Sequence, residues 1–253
     1  MTAPALPPSR HARATHPVWD AKTDIGAVRA HNEDCWTVEP NHDLFVVCDG
    51  MGGHARGEVA SSTACTTIRE WAAARPPSHR LHIARELLVG AIHEANRRVY
   101  SLGTGRRRPG TTVAAMIWAR DQVVVAHVGD SRVYRLRRGA LVQLTRDHSR
   151  ANQLVDLNRL RPEEVADFPQ KYLITRAVGT HRDVEVDIRV EDVLPGDVFL
   201  LASDGLEVLG PRELRTCLEL SPTAAVERLI AHSVAEGAPD NVTVIVVRAG
   251  GAE

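Results

Sequence analysis

Acidic residues stand beside turn glycines at widely separated places in this chain, each at the end of an apolar run. Asp49-Gly50-Met51-Gly52-Gly53-His54 follows Leu44 to Cys48, Gly129-Asp130-Ser131 follows Val123 to Val128, and Ser203-Asp204-Gly205 follows Val198 to Ala202. Asp240-Asn241 comes just before Val242 to Val247. Each reads as a carboxylate at the end of a buried strand. Several such strands bringing their acids to one place would build a site for hard divalent cations, because oxygen ligands suit Mg²⁺, Mn²⁺ and Ca²⁺ and not zinc. Taken singly, each acid is as well explained by an Asx-type turn or a helix cap. The glycines at 52 and 53 exceed what one turn needs. Glu33-Asp34, in the run Arg29-Ala30-His31-Asn32-Glu33-Asp34, add two acids beside an arginine. Arg29 either pairs with them as a salt bridge or holds a phosphate with its planar fork. Spacing alone does not separate the two.

The elements that must position these acids follow from periodicity. Val18 to Ile25 and Cys35 to Val38 read as strands, and Leu44 to Cys48 as a strand buried on both faces. Val59, Ala60, Thr63, Ala64, Thr67, Ile68 and Trp71 then fall at helical spacing, in a helix that stops before Pro76-Pro77. A second helix runs from about 80 to 102 and ends at Gly103-Thr104-Gly105. Strands follow at 111–118, 122–128, 131–137 and 140–143, with a hairpin turn at Gly139. Residues 149 to 175 read as short helices and loop, and could form a flap over a site. Strands return at 184–190 and 198–202, helices at 211–220 and 222–236, and a last strand at 242–247. Two runs of strands, each followed by a helical pair, argue for an α+β fold of two antiparallel sheets covered by helices.

Composition sets the bounds. The chain has 253 residues, 43% of them hydrophobic, enough for a sizeable core, in one large domain or two small ones. With 31 basic and 32 acidic residues, no bulk affinity for nucleic acid or a membrane surface follows. The basic runs Arg106-Arg107-Arg108 and Arg135 to Arg138 read as a solvated loop and a strand rim. Cys35, Cys48, Cys65 and Cys217 form no CxxC pair, which argues against zinc or a disulfide framework and for a reducing cytoplasm. Cys48 reads as a small hydrophobe beside the acid motif. No run of about 18 apolar residues marks a transmembrane helix, and the first 16 residues lack the apolar segment of a secretory signal. Those residues, rich in Ala, Pro, Arg and His, read as a disordered tail, leaving 17–250 as the folded domain.

The motifs together are more specific than any one of them. Thr23-Asp24-Ile25-Gly26 with Val28-Arg29 and Asn32-Glu33-Asp34, then Asp49 to His54 with Gly57-Glu58-Val59-Ala60, open a series. Gly110-Thr111-Thr112, Val128-Gly129-Asp130-Ser131-Arg132, Thr145-Arg146-Asp147-His148-Ser149, Ser203-Asp204-Gly205-Leu206 and Pro239-Asp240-Asn241-Val242-Thr243 continue it. In kind and order they resemble the bacterial type 2C, metal-dependent Ser/Thr protein phosphatases over residues 18 to 248. The resemblance implies a four-layer α-β-β-α sandwich with a binuclear Mn²⁺ or Mg²⁺ centre at one end of the sheets. By position, Asp49 would bridge both metals, with the Gly50 carbonyl beside it. Asp204 and Asp240 would bind one metal. Glu33 would bind the other directly or through water, with Asp34 in the water shell. Asp130 and Asp204 match the pair for a third, weaker metal, and Arg29 the phosphate-binding arginine.

The implied reaction is attack on phosphorus by a water that the cations activate, without a cysteine nucleophile or a phosphoenzyme. Animal members have a histidine two residues after the bridging aspartate; here Met51 stands there, and His54 is the candidate proton donor. Asn158 stands where relatives often have glycine in a helix-ending turn, and asparagine tolerates that conformation. Tyr172 lies near where some relatives contact the third metal. His148 reads as structural, packing the start of the flap. The expected partners are proteins phosphorylated on Ser or Thr, with a cognate bacterial Ser/Thr kinase and its substrates. The expected state is a cytoplasmic monomer without the membrane anchor that some relatives carry. A catalytically inactive, phosphoprotein-binding relative is the alternative. Loss of an acid at 49, 204 or 240 would signal it, and all three are present.

Overall fold

Successive residues of the central strands face two different hydrophobic layers, which is why those strands read as unbroken apolar runs. In the computed structural model, which describes residues 17–52, 55–104 and 108–250, Leu44, Val46 and Cys48 pack toward helices while Phe45 and Val47 pack toward a second sheet. The elements in order are β1 (Val18–Asp24), β2 (Asp34–Glu39), β3 (Leu44–Met51), α1 (Ala55–Ala73), α2 (Leu81–Ser101), β4 (Gly110–Thr111), β5 (Val113–Ala119) and β6 (Gln122–Val128). They continue with β7 (Arg132–Arg137), β8 (Ala140–Gln143), α3 (Arg150–Asp156), β9 (Asp187–Asp192), β10 (Val198–Ala202), α4 (Pro211–Leu218), α5 (Pro222–Ala235) and β11 (Val242–Arg248).

One sheet has the order β1-β11-β10-β7-β8, the other β2-β3-β5-β6-β9 with β4 on β3. Every strand pairing is antiparallel. Three apolar layers alternate with the two sheets. One lies between α1-α2 and the second sheet, built on Leu44, Ile68, Leu88 and Ile92. One lies between the sheets, around Phe45, Met116, Phe199 and Ile245. The last lies between the first sheet and α4-α5, around Leu200, Leu218 and Leu229. This is the expected four-layer α-β-β-α sandwich.

Some boundaries differ from the sequence reading. The strand read from 184 begins only at Asp187, whose partner is His127. The partner strand β6 stops at Val128, before Gly129 turns with φ +104°, so residues 184 and 185 fall past its end. The strand read at 111–118 is interrupted at Thr112; β4 pairs with the end of β3, and β5 with its body. The segment 149–175 is tied at its base by the bridge Ser149↔Ile174 and holds α3 and a 3-10 turn at Pro162–Glu164. Asn158 takes φ +53°, as its side chain permits. The arginines of β7 are ion-paired, Arg135 to Glu191 and Arg137 to Asp197. The tail read at 1–16, and Gly53, His54, Arg106 and Arg107, lie outside the described residues.

Candidate metal centre

Two strand ends meet at Asp34 and Asp49, which stand directly opposite each other on β2 and β3. Like charges in that position repel, so the pairing needs support. Thr112 supplies part of it: its hydroxyl accepts from the Asp49 N–H at 2.9 Å, and its own N–H donates to the Asp49 carbonyl at 2.8 Å. The Gly50 N–H donates to the Glu33 carbonyl at 3.1 Å. That carbonyl also accepts from the Ser61 hydroxyl of α1 at 2.6 Å. Here α1 touches the strand ends through backbone. A Cβ on Gly50 would lie 2.2 Å from the Gly57 carbonyl oxygen, and a Cβ on Gly57 would lie 1.7 Å from Glu33 Oε2 and 2.8 Å from the Gly50 carbonyl oxygen. Both positions therefore require glycine.

The other sheet brings its acids to the same place. β10 ends at Ala202, and Asp204 opens a 3-10 turn, Asp204–Val208. The Ser203 hydroxyl donates to Asp34 Oδ2 at 2.7 Å and accepts from the Thr243 N–H at 2.9 Å, joining the two sheets. Asp240 precedes β11. The neighbouring Asn241, which is buried, accepts from the Glu33 N–H at 2.8 Å and donates to the carbonyls of Ile25 and His31, both at 2.9 Å. One amide thus fixes the loop that carries Arg29 and Glu33.

The electrostatics show what the arrangement lacks. Burial pushes the Asp49 carboxyl well above the usual carboxylate range, and Asp34, Asp204, Asp130 and Asp240 add to the effect. Burial does the same to Asp204, with Asp130 and Asp240 the next largest causes. Asp130 is raised to about 7 by burial and then Asp147. Asp34 is raised to about 6 by burial, against the hydrogen bond from Ser203. Asp130 Oδ1 and Asp204 Oδ1 are buried without a hydrogen-bond partner. Of the cations near the group, Arg29 is half-exposed and lies 2.5 Å from Asp240 Oδ2, and Arg132 is paired with Asp147 and Glu207. Converging oxygen donors, two of them orphaned, with too little positive charge, fit hard divalent cations.

The structure thus brings together Asp34, Asp49, Asp130, Asp204 and Asp240, with Gly50 and Glu33 at the α1 contact and Arg29 at the rim. Three residues given no individual weight in the sequence flank the group. Arg132 pairs with Asp147 at 2.6 Å and with Glu207 at 2.5 Å. Glu207 follows Asp204 by three residues, a spacing that places both on one side of a 3-10 turn and could have flagged it. Tyr172 is exposed and lines both a cavity of about 500 Å³, shared with Asp130 and Asp147, and one of about 340 Å³, shared with Asp204 and Asp240.

Away from the acids, His127, His148 and Asp187 have ligand-type atoms within 4.8 Å of one another. Those atoms are engaged. His127 Nε2 bonds to the Arg146 carbonyl at 2.8 Å, His148 Nε2 faces Asp187 at 3.3 Å, and the Arg176 guanidinium lies against both His148 and Asp187. A cation already fills that place, and it is an arginine.

Comparison with known proteins agrees with this geometry. The family model described as protein phosphatase 2C matches residues 27–241. The serine/threonine phosphatase stp of Listeria monocytogenes serotype 4b is 36% identical over 238 residues, covering 89% of this chain and 93% of that protein. The serine/threonine protein phosphatase PstP of Mycobacterium tuberculosis is 36% identical over 228 residues, covering 89% of this chain but 44% of that longer protein. The catalytic domain of a serine/threonine protein phosphatase PstP, solved in complex with two manganese ions, superimposes with a TM-score of 0.80 at 33% identity, covering 92% of this chain and 98% of that one. On the matched span, the shared fold and the converged acids, this chain belongs to the protein phosphatase 2C family.

Proposed function

We propose that Asp49, Gly50, Asp204, Asp240 and Glu33 hold two divalent cations, Mn²⁺ or Mg²⁺, and that this centre hydrolyses phosphoserine and phosphothreonine in proteins. The observation that carries the reading is the convergence of buried carboxylates from the ends of both sheets, two with orphaned oxygens. When bound, the cations supply Lewis acidity and a water acidic enough to act near neutral pH. The chain's own residues do the rest. Asp49, at the β3 end, would be a ligand to both cations. Asp34, held by Ser203, orients water at the edge of the cluster. Asp130 and Asp204 offer their orphaned oxygens to a third, weaker ion.

Arg29 reaches Asp240 from an exposed loop, so its guanidinium can swing to a phosphoryl oxygen pair and offset charge there. His54 is assigned as the proton donor to the departing serine or threonine oxygen. The partners we propose are phosphorylated proteins, a cognate bacterial Ser/Thr kinase and its substrates among them, met by a cytoplasmic monomer. Among the described residues no helix is long and apolar enough to cross a membrane.

The test is hydrolysis of a phosphothreonine peptide by the Mn²⁺-loaded protein, with EDTA and Asp204→Asn as controls. Turnover that disappears in both is expected. Metal-loaded, folded protein without turnover would overturn the reading in favour of a phosphoprotein-binding relative.

A further inference from the structure

The larger of the two cavities at the acid end is more than a phosphoryl group needs. It holds about 500 Å³, the scale of a pocket for a whole small ligand, and runs from Asp130 to Val165 and Ala166 of the 149–175 segment. The smaller cavity, lined by Asp204 and Asp240, is where the proposed centre would meet phosphate. Tyr172 and Glu207 line both, so the two adjoin at those side chains. A peptide with its phosphoryl group at the acids must lay its flanking residues on some surface. An extended chain advances about 3.3–3.6 Å per residue, so the adjoining cavity is within reach of near neighbours of the phosphorylated residue.

The charges lining the larger cavity fall into two sets. Arg132, Asp147 and Glu207 satisfy one another. Arg132 Nε donates to both Asp147 oxygens at 3.0 Å, and Arg132 Nη2 reaches Asp147 at 2.6 Å and Glu207 at 2.5 Å. Gln143 adds a bond to Asp147 at 2.9 Å. Lys171 and Arg146 are the other set. Lys171 Nζ donates to the Ala166 carbonyl at 2.6 Å and lies 5.0 Å from the centre of the Tyr172 ring. Among the described residues it makes no ion pair with a carboxylate. Arg146 pairs with Asp156 at 2.6 Å, both more than half exposed, an arrangement worth little free energy. On an open surface an unpaired lysine needs no account. Lys171 is half-buried at a cavity whose acids are bound to Arg132 or, at Asp130, proposed for metal.

We propose that this cavity is a subsite for an acidic side chain near the phosphorylated serine or threonine, and that Lys171 and Arg146 select it. The proposal rests on the phosphatase reading above. Lys171 exchanges a neutral carbonyl for a carboxylate, and a charge-assisted bond is about twice as strong. Arg146 offers the N–H groups that Asp156 and the Asn152 carbonyl do not take. A lysine or arginine in the same place meets two like charges instead. Arg132 stays committed to Asp147 and Glu207 and holds the opposite charges in place. Selection then comes from the 149–175 segment and its base, and hydrolysis from the strand ends.

The experiment gives the full Mn²⁺-loaded chain a set of phosphothreonine peptides. They differ only by Glu, Gln or Lys at one position, taken in turn over the three residues on either side. At one position or more, kcat/KM should favour Glu over Gln by about 5-fold, the scale of a partly exposed ion pair, with Lys disfavoured. The difference should lie in KM and shrink at high salt. Within Lys171→Gln the Glu-to-Gln ratio should fall toward 1. Within Lys171→Glu the Lys peptide should become the better substrate. Phosphonate analogues of the same peptides, which cannot be hydrolysed, should bind the parent in the same order by fluorescence anisotropy.

Equal kcat/KM for Glu and Gln at every position would overturn the subsite. So would a preference that survives Lys171→Glu unchanged. Peptides of all three kinds losing rate alike in Lys171→Gln would make Lys171 a support for its own segment and overturn the assignment. A chain that turns over no phosphopeptide would count against the proposed function, while the binding order of the analogues still decides the subsite. The peptide series on the unaltered protein needs no variant, so a misfolded Lys171→Glu leaves the proposal testable.

Discussion

Asp130 shows at the scale of one residue what the centre costs the fold. It is buried, one oxygen is orphaned, and its pKa is about 7, against about 3.9 for an unfolded aspartate. A folded-state pKa above the unfolded one means that the fold takes up protons. The stability linked to Asp130 is therefore fully present below about pH 4 and is lost as pH rises toward 7. Asp34, raised to about 6, adds in the same direction over a narrower window. In EDTA, the melting temperature should carry a component that falls between pH 4 and 7. Asp130→Asn should flatten its upper part, as thermal melts at stepped pH would show. An unchanged slope in that variant would remove Asp130 from the account. Asp130 was legible in the sequence because it ends an apolar run beside a glycine, and Asp34 because it belongs to a pair of acids close to Arg29. Glu207, Asp147 and the bridging amide of Asn241 were not. Their partners, Arg132 and the Ile25 to Glu33 loop, come close only once both sheets have formed.

The first turns of α1 and the base of the flap make two predictions about elements. Gly57→Ala puts a methyl onto Glu33 Oε2. It should cost about 1–3 kcal/mol in chemical denaturation, as overpacking does, and weaken Mn²⁺ binding measured by calorimetry. Gly139→Ala, at φ +78° with nothing near, should cost about 1 kcal/mol of backbone strain and leave Mn²⁺ affinity alone. Equal metal affinity in both variants would contradict the close-contact argument.

At the flap base, His148 accepts from the Gly129 N–H at 3.0 Å, stacks on His127 of β6, and faces Arg176 and Asp187 of β9. Burial, then His127 and Arg176, lower it to about 4. A histidine with a depressed pKa loses stability as pH falls from about 6.5, its unfolded value, toward 4. Amides tied to it, such as Thr175 on the His148 carbonyl, should lose hydrogen-exchange protection between pH 7 and 5. His148→Gln should abolish that dependence. The main elements were legible from period alone, since strands buried on both faces and amphipathic helices each leave a clear pattern. The start of β9 was not, because Val184 and Val186 pack on the core without joining the ladder.

For the whole molecule, the proposed centre would work as a clamp between sheets. Asp49 comes from the sheet covered by α1 and α2, and Asp204 and Asp240 come from the one covered by α4 and α5. The apolar layer between the sheets holds them face to face, but at the acid end their carboxylates press them apart. Cations that bind this end bind only the folded chain, so their affinity adds to its stability. At a concentration 100 times the dissociation constant the gain is about 2.7 kcal/mol, and in a chain of this size each kcal/mol moves the melting point by about 2–4 °C. Saturating Mn²⁺ should therefore raise the melting temperature by about 5–10 °C, and EDTA should reverse it. Asp49→Asn makes the argument two-sided. Removing the central charge relieves the repulsion, so the variant should melt above the parent in EDTA, yet gain little from Mn²⁺ because the oxygen placed to be shared is gone. A variant that melts below the parent in EDTA would mean that Asp49 supports the fold itself. The sheets would then be held at this end by hydrogen bonds such as Ser203 to Asp34, with the metal adding only chemistry.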